Sequence, residues 1–199
     1  MPSALDTADR VEVTSRAAWR AWLAAHHTQP DGIWLVTYKK HTGVRYVDYD
    51  SIVEEALCFG WIDSLPRKLD ADRTMLYVSP RKTGSIWSGL NKRRIKALEA
   101  NGLMTDIGRA KIEAAKVDGS WTLYDEVEAL VVPDDLAAAL AVNPIAQNAF
   151  DGFSASSKKG VLWWIKSAKR DATRAKRIAE TVRLAALGVV ANTPMARGR

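Results

Sequence analysis

A chain of 199 residues, 47% hydrophobic and 26% charged with net charge +6, can bury one sizeable core, or a main domain with a helical appendage. No apolar run nears the roughly 20 residues of a bilayer span, and the first ten residues lack a signal peptide's basic and apolar segments. The single cysteine, Cys58, excludes an intrachain disulfide, and together these features set the expectation of a cytoplasmic protein.

Residues 1–12 are polar and aperiodic and read as a loose lead-in. Thr14-Ser15 can cap a helix to about Ala25, with Trp19, Trp22 and Leu23 at i, i+3 and i+4 on one face. Pro30-Asp31-Gly32 is a turn signal, and the β-branched and aromatic run Ile33–Lys39 predicts a strand. A turn or loop over His41–Tyr49 precedes a short helix, capped by Asp50 or Ser51 and running to Phe59. Gly60 stands where that helix would end in the left-handed conformation. Trp61–Leu65 and Thr74–Ser79 predict two more strands, joined by the charged connection Pro66–Arg73.

From Ser85 onward, Ile86, Leu90, Ile95 and Leu98 predict a helix to Asn101-Gly102, and Thr105–Val117 a second. Pro133 opens a short helix with acids in its first turn, and Asn143-Pro144 opens another through Phe150. The last helical region, Ser157–Leu187, has a break near Arg170-Asp171. Along it Ala168, Ala172, Ala175, Ala179, Val182 and Ala186 form a narrow small-residue seam, with Lys166, Lys169, Arg170, Arg174 and Arg177 opposite. Of Trp163 and Trp164, separated by about 100°, one is expected buried and one at a boundary. The fold class is α+β: a small antiparallel sheet with helices over 1–125, an all-helical segment over 126–188 and a disordered tail over 189–199.

The strongest site signal lies at 60–91. Trp61 and Asp63 share one face of their strand, as Tyr77 and Ser79 share one face of theirs. If the strands pair, both sets can flank the basic turn at Arg81-Lys82. Thr83-Gly84-Ser85 then leads into a helix N-terminus that favours an anion, with Trp87, Ser88 and Asn91 close by. Tyr38 and Lys39 extend the candidate set from the earlier strand. Rings, cations, a carboxylate and hydroxyls together suit a small aromatic or anionic ligand. The order Arg-Lys-Thr-Gly-Ser is not a phosphate-binding P-loop.

Cys58 sits in an apolar helix with no histidine beside it and reads as inert. His26, His27 and His41 form no metal signature, and no motif calls for a cofactor. Charge falls in blocks: −2 over 1–60, +5 over 61–102, −6 over 103–155 and +9 over 156–199. The basic blocks either face anionic partners or neutralise the acidic belt within the fold.

Three stretches in order carry a family resemblance. They are Glu54–Ser64; Ser79-Pro80-Arg81-Lys82 with Ser85, Trp87, Ser88 and Asn91; and the run Leu162-Trp163-Trp164-Ile165, Ala168-Lys169-Arg170, Thr173-Arg174 and Lys176-Arg177-Ile178. With them the chain resembles the YdeI/OmpD-associated, or bacteriocin-protection, family over roughly residues 12–188. The resemblance implies a link to tolerance of antimicrobial peptides and stress, and brings no catalytic residues with it. The leading expectation is a cytoplasmic protein binding a small aromatic or anionic molecule. One alternative is an enzyme using Asp63 as general base and Arg81 as electrostatic stabiliser. Another is a nucleic-acid-binding module built on the two basic blocks, which no recognised motif supports. The sequence sets no oligomeric state.

Overall fold

The computed structural model describes residues 4–194. The chain divides into two units, one ending at Leu123 and the other beginning at Tyr124. The fold is α+β, with a four-stranded sheet among helices followed by helices alone.

The first unit contains α1 (Ala4–Thr7), β1 (Arg10–Glu12), α2 (Arg16–His26), β2 (Ile33–Tyr38) and a 3₁₀ helix over Lys40–Arg45. It continues with α3 (Tyr49–Cys58), β3 (Trp61–Lys68), β4 (Arg73–Pro80), α4 (Gly89–Ala100) and α5 (Asp106–Val117). The strand order is β1-β2-β4-β3, with β1 parallel to β2 and the other pairs antiparallel. The segment read as a loose lead-in thus supplies α1 and an edge strand, each too short to show a period; its residues 1–3 lie outside the described residues.

Strand β2 is buried on both sides, which is why it reads as a nearly unbroken apolar run. Ile33 and Leu35 face the main core with Trp19, Leu23, Trp61, Leu76 and Val78. Trp34 and Val36 face the other way, against Met75, with Leu5 and Tyr77 packed alongside. Fully burying a side chain of this size stabilises by about 1.5–3 kcal/mol, so the doubly covered strand anchors the unit.

Local signals place most helix ends. The Ser15 side chain accepts from Ala18 N–H to cap α2, and the Thr105 side chain from Gly108 N–H to cap α5. Gly60 closes α3 at φ 72°, as its position predicts. Three boundaries differ from the sequence reading. Asp48, not Asp50 or Ser51, caps α3, accepting from both the N–H and the hydroxyl of Ser51. Half of Pro66–Arg73 is strand, because a bulge between Asp63 and Pro66 lets β3 run on to Lys68 and β4 begins at Arg73. Helix α4 begins only at Gly89, capped by Ser88, since Ser85 instead donates to the Lys82 carbonyl and closes a turn.

The second unit holds α6 (Asp125–Glu128), α7 (Asp134–Ala141), α8 (Pro144–Gly152), α9 (Ala155–Lys166) and α10 (Asp171–Ala185). Leu136, Phe150, Ile165 and Leu184 lie at the centre of its core. The alanine seam expected along α10 is not its buried face. Ala172, Ala175 and Ala179 are exposed, and the helix buries Ile178, Thr181, Leu184 and Ala185. Larger apolar groups gain more from leaving water than alanine methyls do, and they set the rotation of the helix. Trp163 and Trp164 are both half-buried, one against Tyr124 and the other under the Arg177 guanidinium. Val189 and Ala191 are buried in the same core, and residues 195–199 of the stretch read as a tail lie outside the described residues.

Part of the basic C-terminal block pairs with the acidic belt inside this unit. Lys166 meets Glu126 at 2.6 Å, Lys159 meets Glu128 at 3.2 Å, and Arg174 meets Asp135 at 2.6 Å.

Candidate functional site

The face of the sheet that carries Ile33, Leu35 and Val78 is roofed by α2 and α3 toward one end. Toward the other, past the start of α3, the roof gives way to a hollow of about 630 Å³. Its floor comes from Thr37, Thr74 and Leu76, aligned by the pairing of Thr37 with Thr74 and of Leu35 with Leu76. Tyr46, Val47, Tyr49 and Ile52 wall it from the segment entering α3, and Asp63 and Pro66 from β3. The bulge in β3 puts Asp63 and Pro66 on one face, opposite Val78 and Leu76. It also turns Arg67 to the far face, where its guanidinium lies over the Trp34 ring.

The hollow is mostly apolar and aromatic, with few polar groups. Asp63 accepts a hydrogen bond from the Tyr49 hydroxyl at 2.6 Å. Burial, and then that bond, push the Tyr49 phenol up to about 12. Lys39 borders the hollow, but its ammonium donates to the Asp70 and Ala71 carbonyls at 2.6 and 2.8 Å and holds the β3–β4 turn. The Tyr38 hydroxyl donates to Glu12 at 2.8 Å, and the Arg45 guanidinium stacks on its ring.

Of the residues the sequence singled out, the structure brings Tyr38, Lys39 and Asp63 to this hollow. Trp61 is fully buried in the core, its indole N–H donating to the His27 carbonyl at 3.3 Å. Tyr77 and Ser79 do not share a side with Asp63. Because Asp63 lies opposite Val78, both flanking side chains project from the other face, where Tyr77 packs edge-on against Trp34. Arg81, Lys82 and Trp87 border a separate, smaller hollow, so the acid and the cation pair do not converge on one cavity. Ser88 and Asn91 belong to α4: the Ser88 hydroxyl accepts from Asn91 N–H at 3.2 Å, and the Asn91 amide oxygen from Arg94 at 3.1 Å. The later start of α4 also removes the helix N-terminus expected beside Ser85.

Sequence reasoning missed Tyr46 and Tyr49, because the stretch His41–Tyr49 reads as a turn or loop. A signal was present, since two tyrosines stand within a polar stretch; they are 40% and 52% exposed here. Cys58 is buried as expected of an inert thiol, and desolvation pushes its pKa up.

No curated protein and no solved structure matches the chain. Two family models do. Residues 129–188 match the family described as Bacteriocin-protection, YdeI or OmpD-Associated, which the C-terminal run resembles. Residues 11–111, half of the chain and the whole sheet except the first residue of β1, match a Domain of unknown function (DUF8412). The larger hollow and Arg81 both lie within that second match. The chain therefore belongs to the DUF8412 family and carries a YdeI/OmpD-associated segment toward its C-terminal end.

Proposed function

We propose that this YdeI/OmpD-like protein binds a small aromatic molecule in the hollow beside Tyr49, and that it does so in the cytoplasm. The single observation that carries this reading is a concave, largely apolar space of about 630 Å³ with aromatic walls and one carboxylate. Ligand sites combine such lining with a few placed polar groups. Tyr46 and Tyr49 offer faces for stacking, and Asp63 accepts a hydrogen bond from a hydroxyl or amine on the ring. An anionic ligand suits this hollow less well. Its carboxylate would repel one, and Lys39 is already engaged by two backbone carbonyls, which leaves the exposed Lys40 as the remaining cation on the lining. Protection against bacteriocins, the activity in the description matching residues 129–188, would then depend on capturing a small molecule rather than on attracting cationic peptides to a +6 chain.

The test is a panel of phenols, anilines and aromatic amines followed by NMR of the full chain. Saturable shifts at Thr37, Val47 and Leu76 that weaken about tenfold in Tyr46→Ala and in Asp63→Asn support the proposal. A panel that produces no saturable shift at those positions overturns it.

A further inference from the structure

Between the basic turn at 81–84 and the C-terminal end of α5 lies a second hollow, of about 50 Å³. Arg81, Lys82, Trp87, Lys111, Asp118 and Ser120 border it. None of them lines the aromatic hollow. Two are almost wholly removed from solvent, Arg81 at 4% and Ser120 at 3% exposure. In each, one polar atom has no protein hydrogen-bond partner: the Nε–H of Arg81 and the Oγ of Ser120. Buried polar groups are ordinarily paired, and a single orphan already calls for a cause. Both residues border the one small hollow and one orphan sits on a cation, so a single acceptor seated between them would satisfy both.

The remainder of Arg81 is held in place. Its Nη1 donates to the Ile86 carbonyl at 3.1 Å, its guanidinium lies 3.5 Å from the centre of the Trp87 ring, and its backbone N–H donates to the Gly60 carbonyl at 2.9 Å. No carboxylate forms a salt bridge with it among the described residues. Desolvation lowers its pKa to about 10, and the field of Asp63 offsets only part of that. Asp118 is the one acid on the wall, and it accepts from the backbone N–H groups of Gly84 and Ser120 at 3.1 and 2.8 Å. The Ser120 hydroxyl is near enough to help hold the Asp118 carboxyl below its usual range, yet outside hydrogen-bonding geometry with it. Lys82 and Lys111, both exposed, leave the rim positive.

We propose that this hollow binds one small planar oxoanion, a carboxylate, nitrate or hydrogencarbonate group, which accepts hydrogen bonds from Arg81 Nε and Ser120 Oγ. A planar anion matches the edge of a guanidinium, whose N–H groups lie in one plane. A water satisfies the same hydrogen bonds but adds no charge to the partial compensation that the field of Asp63 supplies, and the volume exceeds the roughly 30 Å³ that one water takes up. The same volume excludes a nucleotide or an aromatic ring within the hollow.

The experiment follows the Arg81 Nε–H resonance of the full chain as sodium formate, sodium nitrate or sodium hydrogencarbonate is added, against sodium chloride at equal ionic strength. The expected result is a saturable shift with at least one oxoanion and none with chloride, with affinity about tenfold weaker in Ser120→Ala. Should Ser120→Ala not fold, the exposed Lys111→Gln gives the same comparison, with an expected loss of about threefold. Shifts that rise linearly with every salt, or unchanged affinity in the folded variant, overturn the proposal and leave the hollow to water.

Discussion

The Tyr49 hydroxyl donates to the Asp63 carboxylate at 2.6 Å, tying the first residue of α3 to the third of β3 beside the larger hollow. Burial of the ring, and then this bond, raise the phenol from 10.0 to about 12. A group whose folded pKa exceeds its unfolded one contributes stability that is complete below the unfolded value and lost as pH rises through the folded value. Urea midpoints are therefore expected to fall between pH 10 and about 12, and to fall less steeply in Tyr49→Phe. Parallel profiles for the two proteins would show that the bond does not persist in solution.

Helix α5 approaches the end of α3 so closely that a methyl group at Gly108 would run into the Cys58 carbonyl. Backbone cannot swing aside as a flexible side chain can. Gly108→Ala is expected to destabilise by about 3 kcal/mol. Gly60→Ala meets mainly the flexible stem of Lys111 but must adopt φ 72°, and is expected to cost about 1–2 kcal/mol. Chemical denaturation of both variants checks the order; equal stabilities would contradict it.

Glu55 is 2% exposed and receives Arg16 at 2.6 Å and Arg20 at 2.7 Å, which joins α2 to α3 through one buried carboxylate. Removing the acid leaves Arg20 without a carboxylate, while Arg16 keeps Glu54 at 2.9 Å. Because those side chains keep 37% and 35% of their surface in water, the penalty is less than for a fully buried pair. Glu55→Ala is expected to destabilise by about 2 kcal/mol, and Glu55→Gln by less. A double-mutant cycle with Arg20→Ala should give a clear coupling energy, and additivity would refute the pairing.

Several carboxyls are held below their ordinary values: Glu12 by the Tyr38 hydroxyl and Arg73, Asp48 by its bonds from Ser51, and Asp135 by Arg174. Lowered folded values give stability that is complete above the ordinary carboxyl values of 4.5 and 3.8 and is lost as pH falls through the folded ones. Denaturant midpoints should hold through neutrality and fall in that acid range. Arg174→Gln should flatten the part of the fall that belongs to the second unit. An acid limb unaltered by that variant would show the Arg174–Asp135 pair to be unimportant.

The caps at Ser15 and Thr105 and the stop at Gly60 were legible in the sequence because each is decided by a few neighbouring residues. Strand β2 was legible for a similar reason, since β-branched and aromatic side chains favour extended backbone wherever they are buried. The candidate site was legible only in part. Alternation correctly put Trp61 and Asp63 on one face, but no local signal says which residue of β4 stands opposite Asp63. One step of register separates Tyr77 from that face, and the bulge before Pro66 changes the parity of every residue after it. On α10 two overlapping stripes competed, and the packing of Ile178 and Leu184 against distant residues exposed the alanines.

The sequence by itself determined the caps at Ser15 and Thr105, the stop at Gly60, the strand that begins at Ile33, and that rings and charges gather between residues 60 and 91. Only the tertiary structure decided that these groups do not converge, with Asp63 bordering one hollow, Arg81 a smaller one and Trp61 buried in the core. Backbone conformation is set by short-range sterics and hydrogen bonds carried within a few residues. Register and helix rotation are set by burial against side chains far away in the chain, which no local pattern specifies.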